Sequence, residues 1–232
     1  MELKKVDKKP DFVHQVWQHL LRKWYKKTGR IPEVPWMAQK ESDILTESLR
    51  RSEPVRCLEW GSGFSTLHFP RLLSQESSWL SIEHDKAWFD AMRTKKLPLN
   101  VELLHIPPDK VSGDKDGTYE DFRTYIDYPE GPFDFILIDG RARNDCLLKA
   151  AQLLHPEGLV ILHDANRSYY HQNLHLFPHQ YLFKDHRKGF GGLWMGSPAR
   201  PIDQFISLNM HQSLWRNHLR LLRLIRPFHR FG

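Results

Sequence analysis

The chain has 232 residues, of which 40% are hydrophobic and 27% charged, and its formal net charge is +6. This length and composition favour one globular domain with modest extensions and argue against wholesale disorder. The two cysteines, Cys57 and Cys146, form no C-x-x-C pair, which argues against a disulfide framework and a structural zinc site. No apolar run approaches the roughly 20 residues of a membrane-spanning helix. The charged start of the chain has no apolar stretch behind it, so we expect no signal peptide and a cytoplasmic location.

The positive charge is concentrated at the two ends of the chain. Basic ends can meet nucleic acid, an anionic membrane or an acidic substrate. They can equally be solvated faces of helices, and the sequence leaves both interpretations open. The two clusters consist of Lys4, Lys5, Lys8, Lys9, Arg22, Lys23, Lys26, Lys27 and Arg30, and of Arg216, Arg220, Arg223, Arg226 and Arg230.

The first fifty residues predict helices. From Asp11 to Gly29, apolar residues recur in pairs at helical spacing, which is typical of an amphipathic helix. Asp11 can cap the start of this helix and Gly29 its end. A second helix is predicted from Trp36 to Arg51, so residues 1–52 are interpreted as an N-terminal helical extension.

From Val55 onward, short strands and helices alternate. Repeated strand–helix–strand units predict an α/β fold, with a doubly wound, seven-stranded, Rossmann-like sheet over residues 53–200. A turn is predicted at Pro156–Gly158, before the fifth strand. The first five strands are predicted at Val55–Trp60, Trp79–Glu83, Val101–Ile106, Phe133–Asp139 and Leu159–His163.

Three segments depart from this alternation. His179–Asp185 and Gly191–Gly196 predict an antiparallel hairpin at the edge of the sheet. Residues 201–232 are interpreted as a basic amphipathic C-terminal helix. Residues 109–132 form a polar insertion that can be a lid over a pocket or a packed excursion covering the sheet edge; its aromatic residues are Tyr119, Phe122, Tyr125 and Tyr128.

Polar residues follow three of the predicted strands, at the edge where a doubly wound sheet binds ligands. Gly61 and Gly63 follow the first strand and allow the backbone to turn tightly and to approach a ligand. Ser65 or Thr66 can cap the next helix, whose N-terminus favours a polar or anionic group. Alone, a G-x-G pattern is a weak signal, because ordinary tight turns contain it too.

Glu83 ends the second predicted strand and strengthens the case for a nucleotide site. An acid at this position can accept hydrogen bonds from both ribose hydroxyls of an adenosine. The dinucleotide fingerprint requires a third glycine, whereas Phe64-Ser65-Thr66 follows Gly63 here. A smaller, cationic adenosyl ligand is therefore favoured over a pyrophosphate, and the charge of Glu59 suits such a ligand.

Four segments, in the right order, resemble the class I S-adenosylmethionine-dependent methyltransferases. The resemblance covers about residues 55–196, and the predicted hairpin is similar to the reversed seventh strand of that family. CLEWGSGFST at Cys57–Thr66 resembles motif I, and LSIEHD at Leu80–Asp85 resembles the second-strand acid motif. FDFILIDG at Phe133–Gly140 resembles the fourth-strand motif, and LHPEGLVIL at Leu154–Leu162 resembles the approach to the fifth strand.

The resemblance implies a binding site for S-adenosylmethionine. Glu59, Gly61 and Gly63 would line the methionine part of the cofactor, and Glu83 would hold the ribose. The predicted cofactor site also includes Ser62, Ser65, Thr66, His84 and Asp139.

One departure from the family concerns the adenine contacts. Many members carry an acid after the third strand, whereas Pro107-Pro108 stands there in this chain. His84, Asp109 or another part of the insertion can take over that role.

Asp139 and Asp164 end neighbouring strands, with Asn166 close behind, and form the candidate catalytic and metal site. Such oxygen ligands suit Mg²⁺, which would orient a hydroxylated acceptor, as in similar metal-dependent O-methyltransferases. Without a metal, Asp139 can order the cofactor pocket and Asp164 can cap the following segment. His163 is the predicted general base, because an ordinary histidine takes up a proton near neutral pH, although a histidine that ends an apolar strand is also commonly structural.

The sequence thus predicts an S-adenosylmethionine-dependent methyltransferase that acts on a hydroxyl group of a small molecule. Arg141 and Arg143 can bind an acidic group of that acceptor or form ion pairs. Two alternatives stay open: the same fold with another adenosyl ligand, and a non-catalytic scaffold whose basic ends bind a membrane surface or nucleic acid. No recognised nucleic-acid module is present, so no specific nucleic acid is expected. The C-terminal helix favours peripheral membrane contact or homo-oligomerisation.

Overall fold

The computed structural model describes residues 34–111, 114, 116–185 and 191–225, with side chains up to residue 217. The chain divides after Val34 into two compact units, and the description concerns the second, from Pro35 onward. The helix predicted at Asp11–Gly29, the N-terminal basic cluster, and Arg226 and Arg230 of the C-terminal basic cluster lie outside these residues.

Seven strands form one sheet: β1 Arg56–Trp60, β2 Ser78–Glu83, β3 Val101–His105, β4 Phe133–Ile138, β5 Leu154–His163, β6 His179–Phe183 and β7 Leu193–Ser197. Their order is β3-β2-β1-β4-β5-β7-β6. Strands β1 to β5 pair in parallel, and β7 runs antiparallel to both β5 and β6. This topology confirms the predicted doubly wound sheet with its terminal hairpin.

The central strands are buried on both faces, because their side chains alternate between two hydrophobic cores. On β4, Ile136 and Ile138 belong to one core, whereas Phe135 and Leu137 belong to the other. Successive residues of a strand point to opposite faces, so a strand covered on both sides must be apolar throughout. The continuous apolar run of β4 follows from this requirement.

Helices cover both faces of the sheet. The helices at Arg123–Asp127 and Arg143–Leu153 contribute to the core that contains Ile136. The helices at Gln39–Ser52 and Leu208–Ile225 contribute to the core that contains Phe135. In the described part of the chain, none of the helices combines the length and the apolar character that crossing a membrane requires. The helices are α1 Gln39–Ser52, α2 Phe64–His68, α3 Lys86–Arg93, α4 Arg123–Asp127, α5 Arg143–Leu153 and α6 Leu208–Ile225, with 3₁₀ turns at Phe69–Leu72, Ser168–His171, Leu174–Leu176 and Ile202–Gln204.

The turn predicted at Pro156–Gly158 is wrong, because β5 already begins at Leu154. The register of β4 and β5 shifts between the pairs Phe133↔Leu154 and Phe135↔Leu159, so the extra residues of β5 are accommodated as an irregularity within the strand. A Cβ on Gly158 would lie 2.9 Å from the backbone oxygen of Asp134. The glycine therefore permits a close approach of two strands and not a chain reversal.

The insertion at 109–132 contains a short helix and is packed against the sheet. Phe122, Tyr125 and Ile126 are buried in the core, whereas Tyr119 and Tyr128 are exposed. Of the two interpretations that the sequence left open, the described residues of the insertion match the packed excursion.

The C-terminal helix uses its tryptophan inside the fold. Trp215 is buried, and the ammonium group of Lys40 lies 3.8 Å from the centre of its ring. Lys40 also pairs with Asp185 at 3.0 Å. Trp215 is therefore not available as a membrane anchor, and membrane contact or oligomerisation through the rest of α6 stays a prediction.

Candidate active site

The carboxyl ends of β1 and β4 meet where the strand order reverses, which is where doubly wound sheets bind ligands. Gly61 follows β1 with a φ angle of +93°, and a Cβ on it would lie 2.5 Å from the Cα of Gly140, which follows β4. A Cβ on Gly140 would in turn lie 2.1 Å from the hydroxyl oxygen of Tyr125. The two glycine backbones thus pack directly against each other. We call the region framed by Gly61–Gly63, Glu83 and Gly140 the crevice.

Glu59, the acid predicted to face the methionine part of the cofactor, is turned into the protein. Its fully buried carboxylate accepts hydrogen bonds from the hydroxyls of Ser65 (2.5 Å), Thr66 (2.7 Å) and Ser81 (3.0 Å) and from the indole N–H of Trp79 (2.9 Å). Burial raises the pKa of Glu59 to about 7, and the four hydrogen bonds act in the opposite direction. The contribution of Glu59 is therefore to hold α2 against β1 and β2.

The start of α2 also differs from the prediction. Gly63 occupies the position that caps the helix, and its backbone N–H donates to the hydroxyl of Thr66 at 3.0 Å. Ser65 and Thr66, which were expected to cap this helix, instead donate to Glu59. Both hydroxyls thus support the glycine loop from behind.

Glu83 lies on the β2 side of the crevice, with both carboxylate oxygens engaged. Oε2 accepts from the backbone N–H (2.9 Å) and the hydroxyl (3.0 Å) of Ser62, and Oε1 accepts from the backbone N–H groups of His84 (2.9 Å) and Asp85 (2.8 Å). Three of these donors are backbone amides, whereas the Ser62 hydroxyl can rotate. A ribose hydroxyl could replace it at Oε2, so Glu83 fits the adenosine-binding role predicted from the sequence.

An aromatic wall stands beside Glu83. The ring centres of His84 and Phe122 are 5.5 Å apart, in an edge-to-face arrangement, and such rings suit contact with a flat base. Asp109, in contrast, accepts hydrogen bonds from the backbone N–H (2.8 Å) and the hydroxyl (2.5 Å) of Thr124. Of the candidates for the missing adenine contact, His84 thus belongs to the wall, whereas Asp109 holds the start of α4.

Three ionisable side chains form a row at the carboxyl ends of β4 and β5. Asp139 Oδ1 lies 2.8 Å from Nδ1 of His163, and Nε2 of the same imidazole lies 3.5 Å from Oε2 of Glu41. Glu41 is fully buried, and its Oε1 accepts the backbone N–H of Gly192 at 2.9 Å. Burial alone would lower the pKa of His163, but Asp139 and then Glu41 raise it to about 10. The imidazole therefore already holds its second proton at neutral pH, which does not fit the general-base role predicted for His163.

The guanidinium of Arg143 ties the ends of β4 and β5 together. It donates to the backbone oxygens of Asp139 (2.9 Å), Gly140 (3.0 Å) and His163 (2.5 Å), and it lies 3.1 Å from Asp139 Oδ1. Arg143 is buried, so its geometry suits a structural tie better than the predicted binding of an acceptor group.

The predicted Mg²⁺ ligands Asp139, Asp164 and Asn166 do not fit a metal site. Asp164 Oδ2 lies 3.2 Å from the guanidinium of Arg167, and Asp139 faces an imidazolium and a guanidinium. The side-chain amide of Asn166 makes two hydrogen bonds with the backbone of Asp185, at 2.9 and 3.2 Å. The two carboxylates are already paired with fixed cations and the Asn166 amide with backbone groups, so the three side chains do not offer the free ligand set that a Mg²⁺ octahedron needs. Among the side chains that the structure describes, no group of three or more histidine, cysteine or acidic residues is placed to hold a metal ion.

Glu41 and Tyr125 were not placed in the site by the sequence analysis. Glu41 contacts Gly192, which is 151 residues away in the chain, and only the tertiary structure brings the two together. A local signal did exist: Glu41 precedes the inward residues Ile44 and Leu45 by three and four positions, which is the spacing of one helix face. A carboxylate on an inward face needs a partner within the protein.

Comparisons with known proteins agree with this geometry. Residues 58–165 match a family model described as a methyltransferase domain. A protein from Klebsiella pneumoniae, assigned as an O-methyltransferase, is 18% identical over 84% of this chain and 92% of that chain, with a TM-score of 0.57. Two further O-methyltransferases are each 17% identical over 83% of this chain and 92% of theirs. The first is from Bacillus cereus, in complex with S-adenosylhomocysteine, and its TM-score is 0.52. The second is TomG from Streptomyces achromogenes, which is involved in tomaymycin synthesis and is in complex with S-adenosylmethionine, and its TM-score is 0.51. The sequence matches no curated protein.

The match to a methyltransferase domain runs from β1 to just beyond β5, and these strands belong to the doubly wound sheet whose carboxyl ends carry the candidate site. At these identities the solved structures share its fold.

Proposed function

We propose that the protein transfers the methyl group of S-adenosylmethionine to a hydroxyl oxygen of a small molecule. The observation that carries this proposal is the placement of Asp139. Its side chain is 25% exposed at the end of β4, and its contacts with His163 and Arg143 both fall on Oδ1. Oδ2 is left to accept a hydrogen bond from an acceptor hydroxyl. That O-methyltransferases are among the proteins that share this fold supports the same conclusion.

When bound, S-adenosylmethionine supplies a methyl group activated by the sulfonium, so the chain has to provide alignment and a place for one proton. The carboxylate of Asp139, held by His163 and Arg143, would orient the acceptor hydroxyl. It would take up the proton that the hydroxyl loses as the new oxygen–carbon bond forms. His163 would stay protonated throughout and would act by positioning Asp139.

For the cofactor itself, the glycine loop Gly61–Gly63 and Glu83 form the proposed cradle. Glu83 would exchange the hydroxyl of Ser62 for a ribose hydroxyl, and the rings of His84 and Phe122 would contact the adenine. Glu59 would support the loop without touching the ligand, because its carboxylate is fully buried among protein donors.

The test is a panel of acceptors in pairs. Phenols, catechols and aliphatic alcohols, each with the primary amine of the same skeleton, are incubated with the protein and S-adenosylmethionine, and S-adenosylhomocysteine and methylated products are measured by mass spectrometry. We expect products from the hydroxyl members, at rates that neither EDTA nor added Mg²⁺ changes. Asp139→Asn should lower kcat by about 100-fold, the size of a typical acid–base contribution, with the Kd for S-adenosylhomocysteine unchanged. Products from the amine members alone would contradict the proposal.

A further inference from the structure

One buried hydroxyl at the crevice has no acceptor for its proton in the described structure. Tyr125, in α4, is fully buried, and the backbone amide of Arg141 acts on its oxygen, but the hydroxyl donates no hydrogen bond to any of the described residues. The backbone at this residue is anchored to β1, because the carbonyl oxygen of Tyr125 accepts the indole N–H of Trp60 at 3.1 Å. The hydroxyl is directed at the crossing of Gly61 and Gly140, since a Cβ on Gly140 would lie 2.1 Å from it.

A second buried tyrosine, whose hydroxyl has only a structural role, has hydrogen-bond partners within the protein. Tyr170 is equally buried, and its hydroxyl donates to Asp116 at 2.6 Å and accepts from Arg167 at 2.9 Å. A buried hydroxyl whose proton has no acceptor is a cost to the fold, and phenylalanine would fill the same space without that cost. Packing in the core therefore explains why an aromatic ring is present at position 125, but it does not explain the hydroxyl group.

We propose that the Tyr125 hydroxyl is a cofactor-binding group that donates a hydrogen bond to an acceptor atom of the adenosyl part of the ligand. The inference rests on the proposed cofactor site, because the hydroxyl lies at the switch in strand order between β1 and β4. Burial, together with the nearby Cys146 and Glu83, raises the pKa of Tyr125 well above its ordinary value, with the backbone amide of Arg141 acting in the opposite direction. The group thus stays a donor at every physiological pH. Because its oxygen is covered, the ligand has to separate the Tyr125 ring from Gly140 when it binds.

The test compares ligand affinity with the stability of the free protein. Tyr125→Phe removes the hydroxyl and keeps the ring, and S-adenosylhomocysteine is the probe, titrated by calorimetry into the full chain. We expect its Kd to rise by about 5- to 30-fold, the effect of one lost hydrogen bond to a buried ligand group. The Tm of the free variant should be unchanged or higher, because a buried hydroxyl whose proton has no acceptor has been removed.

Two matched variants serve as controls. Tyr181→Phe changes a half-buried tyrosine on the edge strand β6 and should alter neither quantity. Tyr170→Phe removes a hydroxyl that has two partners and should lower the Tm of the free protein.

The outcomes separate this inference from the proposed function. Equal Kd values of wild-type protein and Tyr125→Phe for S-adenosylhomocysteine would overturn the inference, but they would not contradict the proposed cofactor site. A wild-type protein that does not bind the probe would overturn both. A loss of Tm in free Tyr125→Phe as large as that in Tyr170→Phe would also overturn the inference, because the hydroxyl would then have an acceptor in the free protein.

Discussion

The two sides of the crevice hold their carboxylates by different means. On the side of β1 and β2, Glu59 and Glu83 accept hydrogen bonds from hydroxyls, an indole and backbone amides. On the side of β4 and β5, Asp139 and Glu41 flank the imidazolium of His163.

This difference matters because uncharged donors and charged partners respond differently to their surroundings. Hydroxyls, indoles and backbone amides keep their hydrogens at every physiological pH, so the donors that hold Glu59 and Glu83 are fixed dipoles. The acceptor side is an ion cluster, whose energy depends on protonation and on the cost of removing charges from water. We therefore expect mutations of the donors on the first side to act through lost hydrogen bonds, whereas the effects on the second side, and those at Glu59 with its pKa of about 7, depend on pH.

The largest effect is expected from removing the anchor on the cofactor side. Glu59→Ala leaves four buried donors without an acceptor and should lower the free energy of unfolding by about 3–5 kcal/mol. Glu59→Gln keeps the shape and one oxygen, and the hydroxyls of Ser65 and Thr66 can rotate to accept, so its loss should be about 1–2 kcal/mol. Urea unfolding measures both, and Glu102→Gln on the exposed face of β3 is the control. Equal losses for the two Glu59 variants would contradict the account, because the donors would then not need the carboxylate.

The next effect concerns cofactor affinity at Glu83. Glu83→Ala removes the only side-chain acceptor proposed for the ribose and should weaken S-adenosylhomocysteine by about 10- to 100-fold, the range for hydrogen bonds to a charged group. Isothermal titration measures this change, with the exposed Glu76→Ala as the matched control. Undiminished binding to Glu83→Ala would remove the support for an adenosyl ligand at this position.

The cofactor side was also the more predictable of the two sides. The strands, the glycine loop and Glu83 are encoded in short segments whose apolar pattern and turn residues can be read locally. The motif located Glu59 in the site but could not tell the orientation of its side chain, since the competing donors Trp79 and Ser81 come from the next strand.

The acceptor side was harder to predict, because residue types and spacing do not tell which charged groups pair. Asp139, Asp164 and Asn166 have the right types and spacing for a metal, but Arg143 and Arg167, four and three residues after the two carboxylates, pair with them in the structure. His163 was predicted to be a base from its ordinary pKa, but Asp139 and then Glu41, from a helix far away in the sequence, raise that pKa. Local patterns predicted the sheet, whereas charge balance required the tertiary structure.

A smaller, pH-dependent effect is expected on the acceptor side. The folded-state pKa of His163 is about 10, above the ordinary value of 6.5, so the stability it contributes is fully present below pH 6.5 and is lost as the pH rises through about 10. Glu41→Gln removes one of its two counter-charges and should lower the free energy of unfolding by about 1–2 kcal/mol at pH 7. Urea unfolding at intervals from pH 6 to 10 should show the gap between variant and wild type closing as the imidazole loses its proton. A gap that is constant with pH would mean that Glu41 acts through its bond to Gly192 alone.

The smallest effect is expected from Ser62→Ala, and it separates the two kinds of donor at Glu83. The variant removes the one donor that can rotate away and keeps the three backbone amides, so the free energy of unfolding should fall by only about 0.5–1 kcal/mol. If the Ser62 hydroxyl and a ribose hydroxyl compete for Oε2, the variant should bind S-adenosylhomocysteine as tightly as wild type or up to about 3-fold more tightly, since nothing then has to be displaced. Calorimetric titration at two pH values should show the same ratio at both, because no group in the exchange changes its charge. A 10-fold loss of affinity would instead indicate that the Ser62 hydroxyl contacts the ligand directly. The proposed exchange of this hydroxyl for a ribose hydroxyl at Glu83 would then be wrong.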